Sequence, residues 1–274
     1  MAASTIDARS KDSLVTVAAL GVLAFIATDV AHEVVGHGIG LLLAGGRTFT
    51  LTTTRLIYLK QLPEPLWRIF DLGGPIGNLC WAVLCLGVQR LIPRADPRWR
   101  LFLWAGAMFA LFWEFGYLMK CGVSGQGDAM ALIEGVSPAW LWRALLFLAG
   151  LILYRIAIRF LAADLHFVVR AAGTEWRPRL RRLLWTLYLA AGVTACAGAI
   201  LDPRGTGEIF RSGAASSFLA CLPLALVPAS FALYPDKSVG TTNPIRRSIA
   251  LAGCAAVAFL FFVLVLGPGI HVSL

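Results

Sequence analysis

Charge is scarce in this chain. Asp, Glu, Lys and Arg make up 14% of its 274 residues, apolar residues make up 58%, and the mean hydropathy is +0.76. So little charge excludes an ordinary soluble domain and indicates a polytopic membrane protein. The six cysteines, Cys80, Cys85, Cys121, Cys196, Cys221 and Cys254, include no C-x-x-C pair and fall mostly within apolar runs. That pattern excludes a disulfide framework or a cysteine zinc site and reads as small buried side chains. No cleavable signal peptide is recognisable. Residues 1–12 are polar, and the apolar run behind them is too long for a signal segment, so it is expected to stay as the first membrane helix. No strong internal repeat is present.

The charges that exist are unbalanced, with 24 basic and 15 acidic residues giving +9 at pH 7 and a pI near 9.7. In a soluble domain this excess would suggest nucleic acid, but no such motif occurs and no nucleic-acid partner is expected. In a membrane chain it reads as basic residues kept on the cytoplasmic side. Apolar windows long enough to span a bilayer lie near 13–43, 71–92, 100–119, 138–161, 183–201, 214–233 and 248–268. Arg9 and Lys11, Arg94, Arg98 and Arg100, Arg170 to Arg182, and Lys237, Arg246 and Arg247 fall on one side. That richer set makes the N-terminus cytoplasmic and the C-terminus external, and the expected setting is a bacterial inner membrane. The basic, Trp-containing connection at 162–182 reads as a helix on the anionic leaflet.

The first apolar run contains Asp29-Val-Ala-His32-Glu33-Val-Val-Gly36-His37-Gly38. Ionisable groups in hydrocarbon are costly and are kept mainly where they bind, conduct or catalyse. His-Glu followed by a second His suggests a zinc hydrolase, in which H-E-x-x-H puts both imidazoles on one helical face. Here the second His is five residues on. On an α-helix five residues rotate by about 500°, leaving the rings roughly 140° apart. A π-bulge would absorb the extra residue, or Gly36 would let the turn unwind. The plainer alternative is two unrelated buried histidines.

Beyond this motif, residues 47–59 are rich in Thr, Ile, Tyr and Phe and read as a strand or small hairpin, equally well as an extended loop. A strand edge beside a metal site would accept an extended peptide. Asn78 lies in Asp71-Leu-Gly73-Gly74-Pro75-Ile-Gly77-Asn78, and as a polar group in a span it needs a partner. Glu114 lies in the third span, either beside the site or paired with Lys120. Asp128 follows a glycine-rich turn and is either a helix cap or a third metal ligand. Asp29, three residues before His32, is placed to orient its ring. His166 and His271 lack ligand-like neighbours and read as structural or exposed.

On these residues the chain resembles the site-2 protease family of intramembrane zinc metalloproteases over roughly residues 13–135. His32-Glu33-…-Gly36-His37-Gly38 is similar to the family's zinc helix. Gly74-Pro75-Ile76-Gly77-Asn78 is similar to its Gly-Pro-x-x-Asn helix start, and Gly127-Asp128 stands where the family places its aspartate ligand. The resemblance implies Zn2+ held by His32, His37 and Asp128, with Glu33 as general base. Asp29, Asn78 and Glu114 would support the ligands or contact substrate. It departs from the family in the extra residue between the histidines, in the missing Asn-x-x-Pro run before Asp128, and in Ala129.

The expected fold is therefore an all-α polytopic membrane protein of about seven helices with a short β-segment after the first. Residues 1–12 form a cytoplasmic tail, 13–135 a three-helix metalloprotease-like core, and 136–274 the C-terminal helices. The expected activity is cleavage of transmembrane segments of other membrane proteins within the lipid bilayer. Two other classes fit the same residues: a non-catalytic membrane scaffold, and a transporter or ion carrier with the polar cluster lining its path.

Overall fold

The computed structural model describes residues 12–58, 62–63, 65–92, 96–165, 176–227 and 244–274. The expected tail at 1–11, His166 and the rest of 166–175 in the 162–182 connection, and the part of the 214–233 span from residue 228 onward lie outside the described residues. Among the described residues, six helices are long and apolar enough to cross a membrane. They are α1 (Leu14–Leu43), α2 (Leu66–Leu91), α3 (Pro97–Ser124), α4 (Ala139–Asp164), α5 (Trp176–Gly198, extended by a 3-10 turn to Leu201) and, after the shorter α6 (Ile209–Leu219), α7 (Ile249–Leu266). The described part of the expected 214–233 span is α6, which is π-helical, followed by a 3-10 segment at Leu222–Leu226 with Pro223 near its start. Residues 176–182 begin the spanning helix α5 instead of lying along the membrane surface.

Local chemistry sets several boundaries. Ser13 caps α1 by accepting the Thr16 N–H, and Asp96 caps α3 by accepting the Arg98 N–H at 2.8 Å, with Pro97 at the first helical position. Helix α2 begins at Leu66 rather than at 71 and runs through Pro75. The proline removes one helical donor, but packing of Ile69 and Phe70 against Gly40 of α1 holds the extra turn in place.

Strands β1 (Thr48–Leu51) and β2 (Leu56–Tyr58) form an antiparallel hairpin within the stretch expected to be extended. A third strand, β3 (Ile270–Ser273), pairs antiparallel with the other edge of β1, giving the order β2-β1-β3. Nothing in the sequence reading anticipated β3. Its four residues follow Gly267-Pro268-Gly269, a turn signal that marked only the end of α7. His271 of β3 is exposed and lies 3.4 Å from Thr50 Oγ1.

The core sits around α3, which packs on α1, α2 and α4. Trp104, Met108, Phe109 and Phe112 of α3 are fully buried, and the Trp104 indole donates to Leu161 O of α4 at 3.1 Å. At the N-terminal end of α1, Arg179 of α5 makes a two-pronged ion pair with Asp12, which also accepts the Ile245 N–H.

Candidate metal centre

The irregular spacing in α1 is resolved by a π-helical stretch at Val30–His37, closed by the Gly38 N–H reaching back to Glu33 O. A π turn hydrogen-bonds residues five apart, so it brings i and i+5 to the same side. His32 and His37 accordingly share a face, with ring centroids 4.9 Å apart and planes at 81°. Gly36 does not unwind the helix. It presses against α2, where a Cβ on Gly36 would lie 2.4 Å from Gly73 O.

Each imidazole is fixed through its Nδ1. His37 Nδ1 is 2.8 Å from Phe70 O, and His32 Nδ1 is 3.1 Å from Glu114 Oε1. Both partners are acceptors, so each ring carries its proton on Nδ1 and keeps the Nε2 lone pair for a ligand. Asn78 Nδ2 donates to the same Glu114 oxygen at 2.7 Å and so fixes the carboxylate; its 3.1 Å approach to His32 Nδ1 is donor beside donor. Trp113 stacks on His32 with centroids 5.0 Å apart. Asp29 is buried one turn back but does not orient His32, because Glu114 occupies the Nδ1 side and Asp128 the Nε2 side.

Both Nε2 atoms converge on Asp128. Its Oδ2 lies 3.3 Å from His32 Nε2 and 3.3 Å from His37 Nε2. For tetrahedral ligands about 2.0–2.1 Å from an ion, the ligand–ligand edge is about 3.3 Å. Burial pushes the Asp128 carboxyl up, but the two imidazoles more than offset this and hold it well below the usual carboxylate range. Asp128 opens a 3-10 turn at Asp128–Leu132. Gly127 before it has φ +112°, and a Cβ there would lie 2.8 Å from the Tyr117 hydroxyl, so glycine is needed to deliver the aspartate.

The buried ligand atoms of His32, Glu33 and His37 lie within 4.8 Å of one another, a group that could hold a metal ion. Two carboxylates therefore compete for the third position. Glu33 Oε2 already accepts the Leu56 N–H of β2 at 2.8 Å, whereas one Asp128 oxygen is equidistant from both imidazoles. The geometry favours Asp128 as ligand and Glu33 as the carboxylate beside it. Space for an ion exists because residue 74 is glycine: a Cβ there would stand 2.4 Å from His37 Nε2 and 2.6 Å from His32 Nε2.

The centre opens into a cavity of about 930 Å3 walled by α1, the β1–β2 hairpin, α3 and α6. Sequence reading missed this last wall. Arg204 binds Asp202 at 3.0 Å and Glu208 at 3.2 Å and donates to Thr54 Oγ1 at 2.7 Å, tying the hairpin tip to the segment before α6. The Asp-Pro-Arg run with two glycines at 202–207 reads as a loop, and nothing local links it to residue 54. Phe70 O was equally invisible, since a backbone carbonyl leaves no mark on residue type.

No family model matches this chain, and no curated protein or solved structure shows significant similarity to it.

Proposed function

We propose that this protein is a zinc-dependent intramembrane endopeptidase of the kind that residues 13–135 resemble. The observation that carries the reading is the convergence of His32 Nε2, His37 Nε2 and Asp128 Oδ2 at edges of 3.3 Å, with Glu33 alongside in a membrane-spanning helix. Two nitrogens and one carboxylate oxygen form a donor set that suits zinc and leaves a fourth position open. A zinc ion held there supplies a Lewis acid for a water and for the substrate carbonyl.

The protein's own groups do the rest. Glu33 is anchored through Oε2 by the Leu56 N–H, which leaves Oε1 to take the proton of the attacking water and pass it to the leaving amine. The Glu114–Asn78 pair and Phe70 O keep both imidazoles in the ligand tautomer. Strand β2 is a sheet edge. In its antiparallel register Ile57 faces β1, so the backbone groups of Leu56 and Tyr58 turn outward. Unpaired edge groups cannot face lipid, and this edge lines the cavity. A transmembrane segment of another protein, locally unwound, would pair there and bring its peptide bond to Glu33. The distribution of basic residues keeps the N-terminal end of α1 cytoplasmic, in a bacterial inner membrane.

A carrier needs a polar route to the opposite face. Leu20, Phe25, Trp104, Met108 and Phe109 pack the core on the N-terminal side of Asp29, which disfavours such a route. The test is co-expression with single-span reporter proteins. Wild type should cleave them, and Glu33→Gln should abolish cleavage while keeping its metal. Absence of cleavage by wild type removes the enzymatic reading and leaves a scaffold, and cleavage undiminished in Glu33→Gln removes Glu33 as the base.

A further inference from the structure

Three of the four acids that line the cavity are engaged: Asp128 faces the imidazoles, Glu33 takes the Leu56 N–H, and Glu208 is held by Arg204 and Ser212, whereas Asp71 of α2 lines it without an ion pair among the described residues. Arg55, Lys120 and Arg211 line the same cavity, and none of the three has a carboxylate within ion-pair distance among the described residues. The Lys120 ammonium has only the face of Tyr117, 4.6 Å from the ring centroid. Asp128 and Glu208 act favourably on the Lys120 charge from a distance and Arg55 unfavourably, and none of them is in direct contact with it. Three cations on one cavity wall without a direct ion pair leave donors that an incoming anion would engage. A second feature of the same wall points to a ligand: Thr53 is 6% exposed, lines the cavity, and its buried Oγ1 has no hydrogen-bond partner.

We propose that Arg55, Lys120 and Arg211 form a reading site for an acidic side chain in the extended polypeptide that enters the cavity. The inference rests on the proteolytic reading and adds a substrate requirement to it. Arg55 immediately precedes Leu56 of β2, whose N–H holds Glu33 of α1, so Arg55 stands one residue from the donor that anchors the reacting carboxylate. At about 3.3 Å per residue, a peptide added to β2 presents an Asp or Glu to the rim within about three residues of the bond beside Glu33. A polypeptide suits the site better than a lipid phosphate, because the outward donor and acceptor groups of Tyr58 on the same edge match a backbone and not a headgroup.

The test uses full-length Glu33→Gln protein in dodecyl maltoside, with its zinc content measured. Three dansyl-labelled apolar nonapeptides, blocked at both ends and differing only in a central Glu, Gln or Lys, are titrated by fluorescence anisotropy. The Glu peptide should bind about tenfold more tightly than the Lys peptide. Arg55→Gln and Lys120→Gln should each reduce that preference about threefold, as for half-exposed ion pairs, and Lys120→Glu should turn it toward the Lys peptide. Equal affinities, or a Glu preference that survives all three substitutions, overturns the proposal. So does failure of every peptide to bind when wild type holds zinc and cleaves, a result that leaves the protease reading standing; absence of zinc and of cleavage removes that reading itself. Binding of phosphatidylglycerol in place of the Glu peptide, lost in the same variants, would assign the rim to a lipid phosphate and also overturns the proposal.

Discussion

Gly74 of α2 and His37 of α1 stand so close that a Cβ on the glycine would lie 2.4 Å from His37 Nε2, in the space where the two imidazoles converge. The gap is thus kept open by a missing methyl group. Gly74→Ala should abolish metal binding, from about one ion per chain to none, since a methyl and an ion cannot share the position. Elemental analysis of purified protein checks it. Retention of full metal content by a folded Gly74→Ala variant would show that the ion, if any, lies elsewhere.

The π stretch makes a prediction about length. Val34 and Val35 are 41% and 48% exposed, so the residue that widens the turn faces outward and carries no contact of the site. Deleting Val35 should let Val30–His37 relax to an α-helix with the histidines four apart, still on one face. Metal binding should survive, whereas inserting an alanine at the same place should destroy it. Titration with a chromophoric chelator distinguishes the two variants.

Glu114 and Asn78 would act on a bound metal through His32. Glu114→Gln keeps an acceptor for the Nδ1 proton and should weaken metal affinity by about tenfold; Glu114→Ala removes it and should approach a hundredfold. Competition with the same chelator reads both. Equal affinity in both variants would mean that the ring is held by packing against Trp113 alone.

Much of this site was legible in the sequence because its residues are types that membrane helices rarely keep. His32, Glu33, His37 and Glu114 announced themselves by their cost in an apolar setting, Asp128 stood out only as a carboxylate after a glycine-rich turn, and the five-residue spacing required a distortion that the π stretch provides. Asp29 has the same conspicuous chemistry and misled for that reason: proximity in sequence is not direction, and Glu114, 82 residues away, reaches the ring instead. The hairpin was readable from its β-branched residues, but β3 was not, because pairing partners 221 residues apart share no local signal. The start of α2 was placed too late because Pro75 and its glycines resemble a helix entrance, while packing on Gly40 decides the matter.

The Asp12–Arg179 pair gives a pH dependence remote from the metal. Burial pushes the Asp12 carboxyl up, but hydrogen bonds from Arg179 and the Ile245 N–H, with the nearby charges of Arg179 and Arg182, outweigh it and hold the group below its ordinary 3.8. A depressed folded value means that the ionised form favours the folded state. The stabilisation is therefore full above 3.8 and is lost as pH falls through the folded value. Asp12→Asn should lower the melting temperature at pH 7 by a few degrees, and the gap to wild type should close in strongly acidic buffer. A gap that stays constant with pH would show that the pair contributes shape and not charge.

Metal content of purified wild type beside His37→Ala and Asp128→Ala tests the central claim most directly. The convergence of two Nε2 atoms and one carboxylate oxygen predicts about one zinc per wild-type chain and loss of it in each variant, with both variants still folded. Wild type without stoichiometric zinc, or zinc unchanged by either substitution, would contradict the account.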